Sequence, residues 1–296
     1  MDGRGMEEPV VSRRDGAADG IHTVSVDPRP AGEQRFFSEV RAEVEEFLTT
    51  GSMRRAVELA RATGEPFNHD IAPMFFTGDP EGRLVLVHLN PRHTPGEAPI
   101  WLRDIRTVEG YLDRHRHFGR DMYGPGSTSG HRSAFDHKQV AFLRPFGLVD
   151  LPSGEGLNDR QTNLVRVCDD KLQLELVPYG SARFSTHRFT VPLLEPHYRR
   201  VMDIVTAHPR AVLLFCGKVF DTLLAPFLIA RSDFSFRLRK ADGADTSMMF
   251  KFSNVALRWG EMSVIGGIAP HFGVQGAPIA EYGRACAARY GSPARG

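Results

Sequence analysis

Four short apolar runs punctuate the chain, and each closes on a small cluster of polar, glycine or proline residues. Leu84 to Val87 leads into His88-Leu89-Asn90-Pro91, and Leu172 to Leu176 into Val177-Pro178-Tyr179. Val212 to Phe215 leads into Cys216-Gly217-Lys218, and Val264-Ile265 into Gly266-Gly267-Ile268-Ala269-Pro270-His271. Runs of this length bounded by Gly and Pro read as buried strands. Helical spacing fills the intervals. Phe36, Phe37, Val40, Val44, Phe47 and Leu48 form one apolar stripe, and a second helix runs from Met53 to Ala62, ended by Gly64 and Pro66. Ile105, Val108, Tyr111 and Leu112 mark a helix to about Phe118; Tyr198 to Val205, Lys218 to Leu224 and Glu281 to Tyr290 mark others. Strands alternating with helices predict an α/β domain, a three-layer sandwich with a short, mostly parallel central sheet. Phe234 to Leu238 and Phe250 to Leu257 alternate around Ala241-Asp242-Gly243 and predict a hairpin or edge strands before the last core strand.

The polar stretches set the organisation. Residues 1–32 are rich in Gly, Arg, Asp and Pro with few apolar residues to offset the entropy of ordering a backbone, which predicts a disordered tail. One domain is expected over 33–290, with a flexible C-terminus at 291–296. Pro66 to Gly82 reads as an irregular connection, Tyr123 to Ser133 as a mobile surface loop, and Leu151 to Thr162 as a second polar loop.

Composition narrows the class. At 296 residues and 41% hydrophobic content the chain can bury a sizeable core. Lys plus Arg (37) nearly cancels Asp plus Glu (36), so overall charge does not announce nucleic-acid binding, although a local basic face is compatible with it. Cys168, Cys216 and Cys286 are widely spaced and form no CxxC, which favours a reducing interior and argues against a four-cysteine cluster or a structural zinc site. No apolar stretch approaches the roughly 20 residues needed to span a bilayer, and no signal-peptide core is evident. The expectation is a soluble cytoplasmic protein.

In parallel sheets, ligands bind outside the carboxyl ends of the strands, where Asn90, Glu175 and His271 would converge. Asn90 before Pro91 initiates a turn for local reasons, yet a carboxamide held there can also orient a water. Glu175 lies among Leu172, Leu174 and Leu176, and a buried carboxylate needs a partner or takes up a proton. A salt bridge or an edge position would satisfy it, and so would the ring nitrogens and exocyclic groups of a ligand. His271 can donate to a developing anion or simply pack in the core. Cys216 at a strand end is a thiol nucleophile candidate with His271 as base, or a small buried hydrophobe. His115, His117, His131 and His137 cluster in sequence without an HExxH or cysteine partner. There is no phosphate loop of the GxxxxGK[ST] type and no strand-borne GxGxxG.

In this order, the strand endings resemble the uracil-DNA glycosylase superfamily. Its first motif, Gly-x-Asn/Asp-Pro after a strand, is matched by His88-Leu89-Asn90-Pro91, with His88 in the glycine's place. Its middle strand carries a base-reading Asn three residues before a proline, where this chain has Glu175 before Pro178. Leu213 to Lys218 is similar to its strand-Gly-Lys/Ala-helix segment, and Pro270-His271-Phe272-Gly273 stands where the family has His-Pro-Ser. The resemblance spans about Leu84 to Tyr290.

The resemblance implies catalytic roles for Asn90, which would position the water that attacks C1′, and for His271, which would stabilise the departing base anion. It implies a base-binding set of His88, Trp101 and Glu175, with Trp101 stacking on a flipped base. An enzyme of near-zero net charge must concentrate arginine locally to hold DNA phosphates, and Arg92, Arg132 and Arg183 occupy loops adjoining the strand ends. No metal and no organic cofactor are expected. The expected function is that of a divergent DNA glycosylase-like protein hydrolysing the N-glycosidic bond of uracil or another damaged or modified base. The alternative is a non-catalytic nucleic-acid or nucleotide binding module on the same fold; a third reading is a small-molecule hydrolase using Cys216 or the histidine cluster. The departures have separate consequences: His88 for Gly crowds the backbone approach to the base, Glu175 for Asn changes the donor and acceptor pattern, and Phe272-Gly273 for Pro-Ser removes the family's backbone contact to phosphate.

Overall fold

A computed structural model describes residues 28–91, 105–127, 133–154, 156–182, 184–239 and 243–291. The chain begins with α1 (Pro28–Thr50) and α2 (Arg54–Thr63), the latter closed by Gly64 in the left-handed region at φ 67°. Strands β1 (Phe76–Gly78) and β2 (Leu84–His88) follow, then α3 (Val108–Arg116), α4 (Phe118–Tyr123), α5 (Ala134–Leu143) and α6 (Leu157–Asp170). Next come β3 (Lys171–Glu175), α7 (Val191–Ala207), β4 (Val212–Phe215) and the single turn α8 (Phe220–Leu223). The fold ends with β5 (Leu228–Phe236), β6 (Phe250–Trp259), β7 (Met262–Ile268) and α9 (Ile279–Ala287).

The strands form one sheet in the order β1-β3-β2-β4-β7-β6-β5. Only the four central strands, β3-β2-β4-β7, run parallel; β1 pairs antiparallel with β3 at one end, and β7-β6-β5 continue antiparallel at the other. The expectation of a short, mostly parallel sheet is therefore corrected to a long, mixed one. Strand β1 lies inside the stretch read as irregular, because three residues are too few to display a period of two. The Gly266-Gly267 strand extends back to Met262 and pairs along its length with β6.

Alternate strand residues feed opposite layers, as a period of two requires. Val85, Val87, Leu172, Leu174, Leu213 and Phe215 join one core with α1, α2, α3 and α7. Leu84, Leu86, Val212 and Leu214 join the other with α4, α5, α6 and α9. With both faces covered, β2 and β4 read as near-continuous apolar runs, whereas β3 alternates polar and apolar residues.

Two boundaries and one helix differ from expectation. Helix α1 starts at Pro28, within the segment assigned to the tail. Helix α6 occupies residues 157–162, read as loop, because its first turns contribute no buried residue and only Leu157 there is apolar. Helix α5 was not expected at all: its buried residues include Asp136 and Gln139, which interrupt the apolar stripe. Ser133 caps it, its Oγ accepting from Asp136 N at 3.1 Å.

Candidate functional site

The carboxyl ends of the parallel strands open into a cavity of about 580 Å³. Its wall includes Thr77, His88, Asn90, Glu175, Cys216 and Phe272. His88 ends β2 and Glu175 ends β3, and the two are paired in register, so their side chains leave the same face of the sheet. Cys216 follows β4, and Phe272 follows β7.

Glu175 is 3% exposed, and its Oε1 accepts from Gln173 Nε2 at 2.8 Å. Its Oε2 is buried and has no hydrogen-bond partner. Burial raises its pKa to about 8, against the opposing hydrogen bond from Gln173 and the charge of Lys171, so the group is a neutral carboxylic acid at pH 7. His88 is 6% exposed and forms a three-ring cluster with Phe135 and Phe272, whose centroids lie 5.1 and 5.2 Å from its own. Burial holds its pKa down at about 3, aided by the charges of Lys171 and Lys138. Its Nε2 is also buried without a partner, as is Thr77 Oγ1 on the same cavity wall.

Behind Glu175 runs a chain of side-chain hydrogen bonds. Gln173 Oε1 accepts from Gln139 Nε2 at 3.0 Å, and Gln139 Nε2 also donates to Asp136 Oδ1 at 3.1 Å. Asp136 Oδ2 accepts from the Tyr123 hydroxyl. Lys171, Gln173 and Glu175 occupy alternate positions of β3, hence one face, while Leu172 and Leu174 face the opposite core. The polar residues recurring at every second position of Lys171-Leu172-Gln173-Leu174-Glu175 were the signal for Gln173; nothing in the sequence ties Gln139, Asp136 or Tyr123 to this site.

Asn90 lines the rim of the cavity. Its Nδ2 donates toward Ser181 Oγ at 2.9 Å, Pro91 O at 3.1 Å and Tyr179 O at 3.3 Å. With the amide nitrogen committed to the protein, Oδ1 is the atom that can address a water or a ligand. His271 follows β7 at the same end of the sheet but turns aside. Its ring packs on Phe250 at 5.2 Å and Tyr282 at 6.3 Å, and burial lowers its pKa; Phe272 and Gly273 meet the cavity instead.

Cys216, His115 and His117 lie in three different surroundings. Cys216 reaches the cavity, but burial pushes its thiol well above the ordinary range, which suits a packing role and not a thiolate. His115 is buried and stacked on Tyr111 at 3.8 Å, whereas His117 lies at the surface beside Asp113. Among the described residues no group of three or more His, Cys, Asp or Glu could hold a metal. Trp101, Arg92, Arg132 and Arg183 lie outside the described residues, as does His131. A larger cavity of about 710 Å³ lies by α1, α7 and the β6-β7 turn, but Arg35 and Arg199 at its wall are paired with Asp203 and Glu195. The chain matches no family model, no curated protein and no solved structure.

Proposed function

We propose that the cavity seats a single nucleobase and that the chain is a divergent DNA glycosylase-like hydrolase, cleaving the N-glycosidic bond of uracil or another damaged or modified base. The observation that carries this reading is the pair His88 and Glu175: adjacent, buried, neutral, and each with a polar atom left without a protein partner in a cavity rimmed by Asn90. Buried polar atoms are normally satisfied, so His88 Nε2, Glu175 Oε2 and Thr77 Oγ1, all left open on one cavity wall, favour a ligand that supplies the missing bonds.

In this reading Asn90 Oδ1 orients a water toward C1′. The C–N bond breaks as the water oxygen bonds to C1′, the electron pair leaves with the base, and the proton shed by the water passes to solvent, from which Glu175 is reprotonated after turnover. Neutral Glu175 stands ready to donate to the departing base. The parallel order of β2, β3, β4 and β7, with Asn90, Glu175 and Phe272 at their carboxyl ends, agrees with the motif order of the uracil-DNA glycosylase superfamily and with a three-layer domain of that type. DNA is the proposed partner, held by the arginines of the adjoining loops. The three unpaired, buried thiols fit a reducing compartment such as the cytoplasm.

A second reading, a non-catalytic base or nucleotide binding module, is favoured by the turning of His271 onto Phe250 and Tyr282. Incubation with oligonucleotides bearing uracil, deaminated purines or oxidised bases, followed by alkali, separates the two. Strand breaks at the modified base support hydrolysis. Saturable binding without breaks leaves the binding module.

A further inference from the structure

The hydrogen bonds behind Glu175 have a fixed direction. Asp136 accepts from Tyr123 through Oδ2 and from the Gln139 nitrogen through Oδ1, an arrangement that leaves Gln139 Oε1 buried without a partner. That same nitrogen reaches Gln173 Oε1, which leaves Gln173 Nε2 to face Glu175. Glu175 Oε1 is thereby an acceptor. Glu175 is buried and has no cation within ion-pair distance among the described residues, so it takes up a proton. With Oε1 receiving an N–H, that proton belongs on Oε2, the atom with no protein partner.

We propose that Gln139 and Gln173 are positioning residues that hold Glu175 as a one-way hydrogen-bond donor into the cavity, so that the site takes a neutral ligand presenting a proton-free acceptor, a carbonyl oxygen or an imine-type ring nitrogen, to Oε2. The inference rests on the cavity being a base site. It adds which edge of the ligand meets the sheet and why. Among the described residues no Lys or Arg lines the cavity wall, which carries His88, Thr77, Asn90, Asp136 and aromatic rings, so an anionic ligand meets no direct cationic partner from them.

The groups around Glu175 are Thr77 from β1, His88 from β2, Lys171 and Gln173 from β3, Asp136, Lys138 and Gln139 from α5, and Cys216 beyond β4. Lys138 is committed elsewhere: its Nζ donates to Val274 O at 3.2 Å and lies over the ring of Phe272. Lys171 Nζ is buried without a partner on the face of β3 that carries Gln173 and Glu175. With the Glu175 pKa at about 8, the donor is present at neutral pH and lost in mild alkali.

Two planar probes test this by NMR titration of the full chain: 1-methyl-2-pyridone, which offers only a carbonyl acceptor, and pyrrole, which offers only an N–H donor. Pyridone affinity of the wild type should fall on the order of tenfold between about pH 6 and about pH 9.5, while pyrrole affinity should not fall. In Glu175→Gln the Gln173 amide holds the new carbonyl, so an N–H faces the cavity at every pH and pyridone binding becomes pH-independent. Gln173→Leu removes the bond that favours the anion, and the midpoint of the wild-type pH profile should move upward. A flat wild-type profile, no pyridone binding at any pH, or an unmoved midpoint in Gln173→Leu overturns the proposal. Base release from DNA alongside a flat profile would sink this inference alone; the expected profile without base release would sink only the hydrolase reading.

Discussion

His88 and Glu175 stand side by side as the last residues of β2 and β3, and burial moves their titrations in opposite directions, to about 3 and about 8. Each is neutral when folded, and each costs stability at a different end of the pH scale.

The folded pKa of Glu175 is raised, so its contribution is fully present below its unfolded value near 4.3 and is lost as pH rises toward 8. The folded pKa of His88 is depressed, so its contribution is present above about 6.5 and lost as pH falls toward 3. Glu175→Gln should therefore gain on the wild type as pH rises from about 5 to about 8, by on the order of a few kcal/mol, and then level off. His88→Gln should gain as pH falls below about 6.5. Urea unfolding across this range reads both effects. Parallel wild-type and Glu175→Gln curves would show that the carboxyl is solvated or paired.

A backbone prediction concerns Gly78, the last residue of β1. Its φ is +86°, and a Cβ there would lie 1.9 Å from the carbonyl oxygen of Lys171, in the adjacent strand β3. Neither conformation nor space admits a side chain. Gly78→Ala should destabilise by about 2 kcal/mol or more, while Gly51→Ala, with φ +73° and nothing within 4 Å of the added Cβ, should cost less. Equal melting temperatures for the two variants would contradict the close approach.

A third prediction follows Asn90 back to the first helix. Its amide donates toward the carbonyl of Tyr179, whose hydroxyl donates to Glu43 of α1 at 2.7 Å. Glu43 also accepts from Arg55 at 2.8 Å and faces the buried Arg200 at 3.6 Å. Glu43→Ala should cost about 3–5 kcal/mol, because it strands the Arg200 guanidinium without its counter-ion. Arg55→Ala removes a half-exposed partner and should cost under about 1 kcal/mol. Chemical denaturation of the two variants checks the ratio; similar costs would refute the dependence on burial.

The sequence disclosed the parts of this fold whose physics is local. Apolar runs ending in Gly or Pro located β2, β3, β4 and the end of β7, and parallel pairing brought Asn90, Glu175 and His88 to one edge. The rest depends on contacts between distant residues. Strand β1 has no period to read, and α5 is buried through Gln139, whose partner Gln173 is 34 positions away. The orientation of His271 is set by Phe250 and Tyr282, which no local pattern links to it.

The catalytic prediction turns on that orientation. Asn90 lines the cavity with its nitrogen locked and only Oδ1 to offer, so Asn90→Ala should slow base release on the order of 10²-fold, the scale expected when one aligned polar group at a reacting centre is lost. Glu175→Leu should do as much or more, because in the proposed reaction Glu175 is the donor to the leaving base. His271→Ala should leave the rate within about threefold of wild type, since the imidazole packs on Phe250 and Tyr282 and acts, if at all, through stability. Single-turnover kinetics on a uracil-bearing oligonucleotide, at enzyme concentrations that saturate binding, separate these effects from affinity. A loss for His271→Ala equal to that for Asn90→Ala, in a variant with an unchanged melting temperature, would mean that the imidazole swings into the cavity when the base is bound. A normal rate for Asn90→Ala would remove the water-positioning role and leave Glu175 to act on a bond broken without an oriented nucleophile.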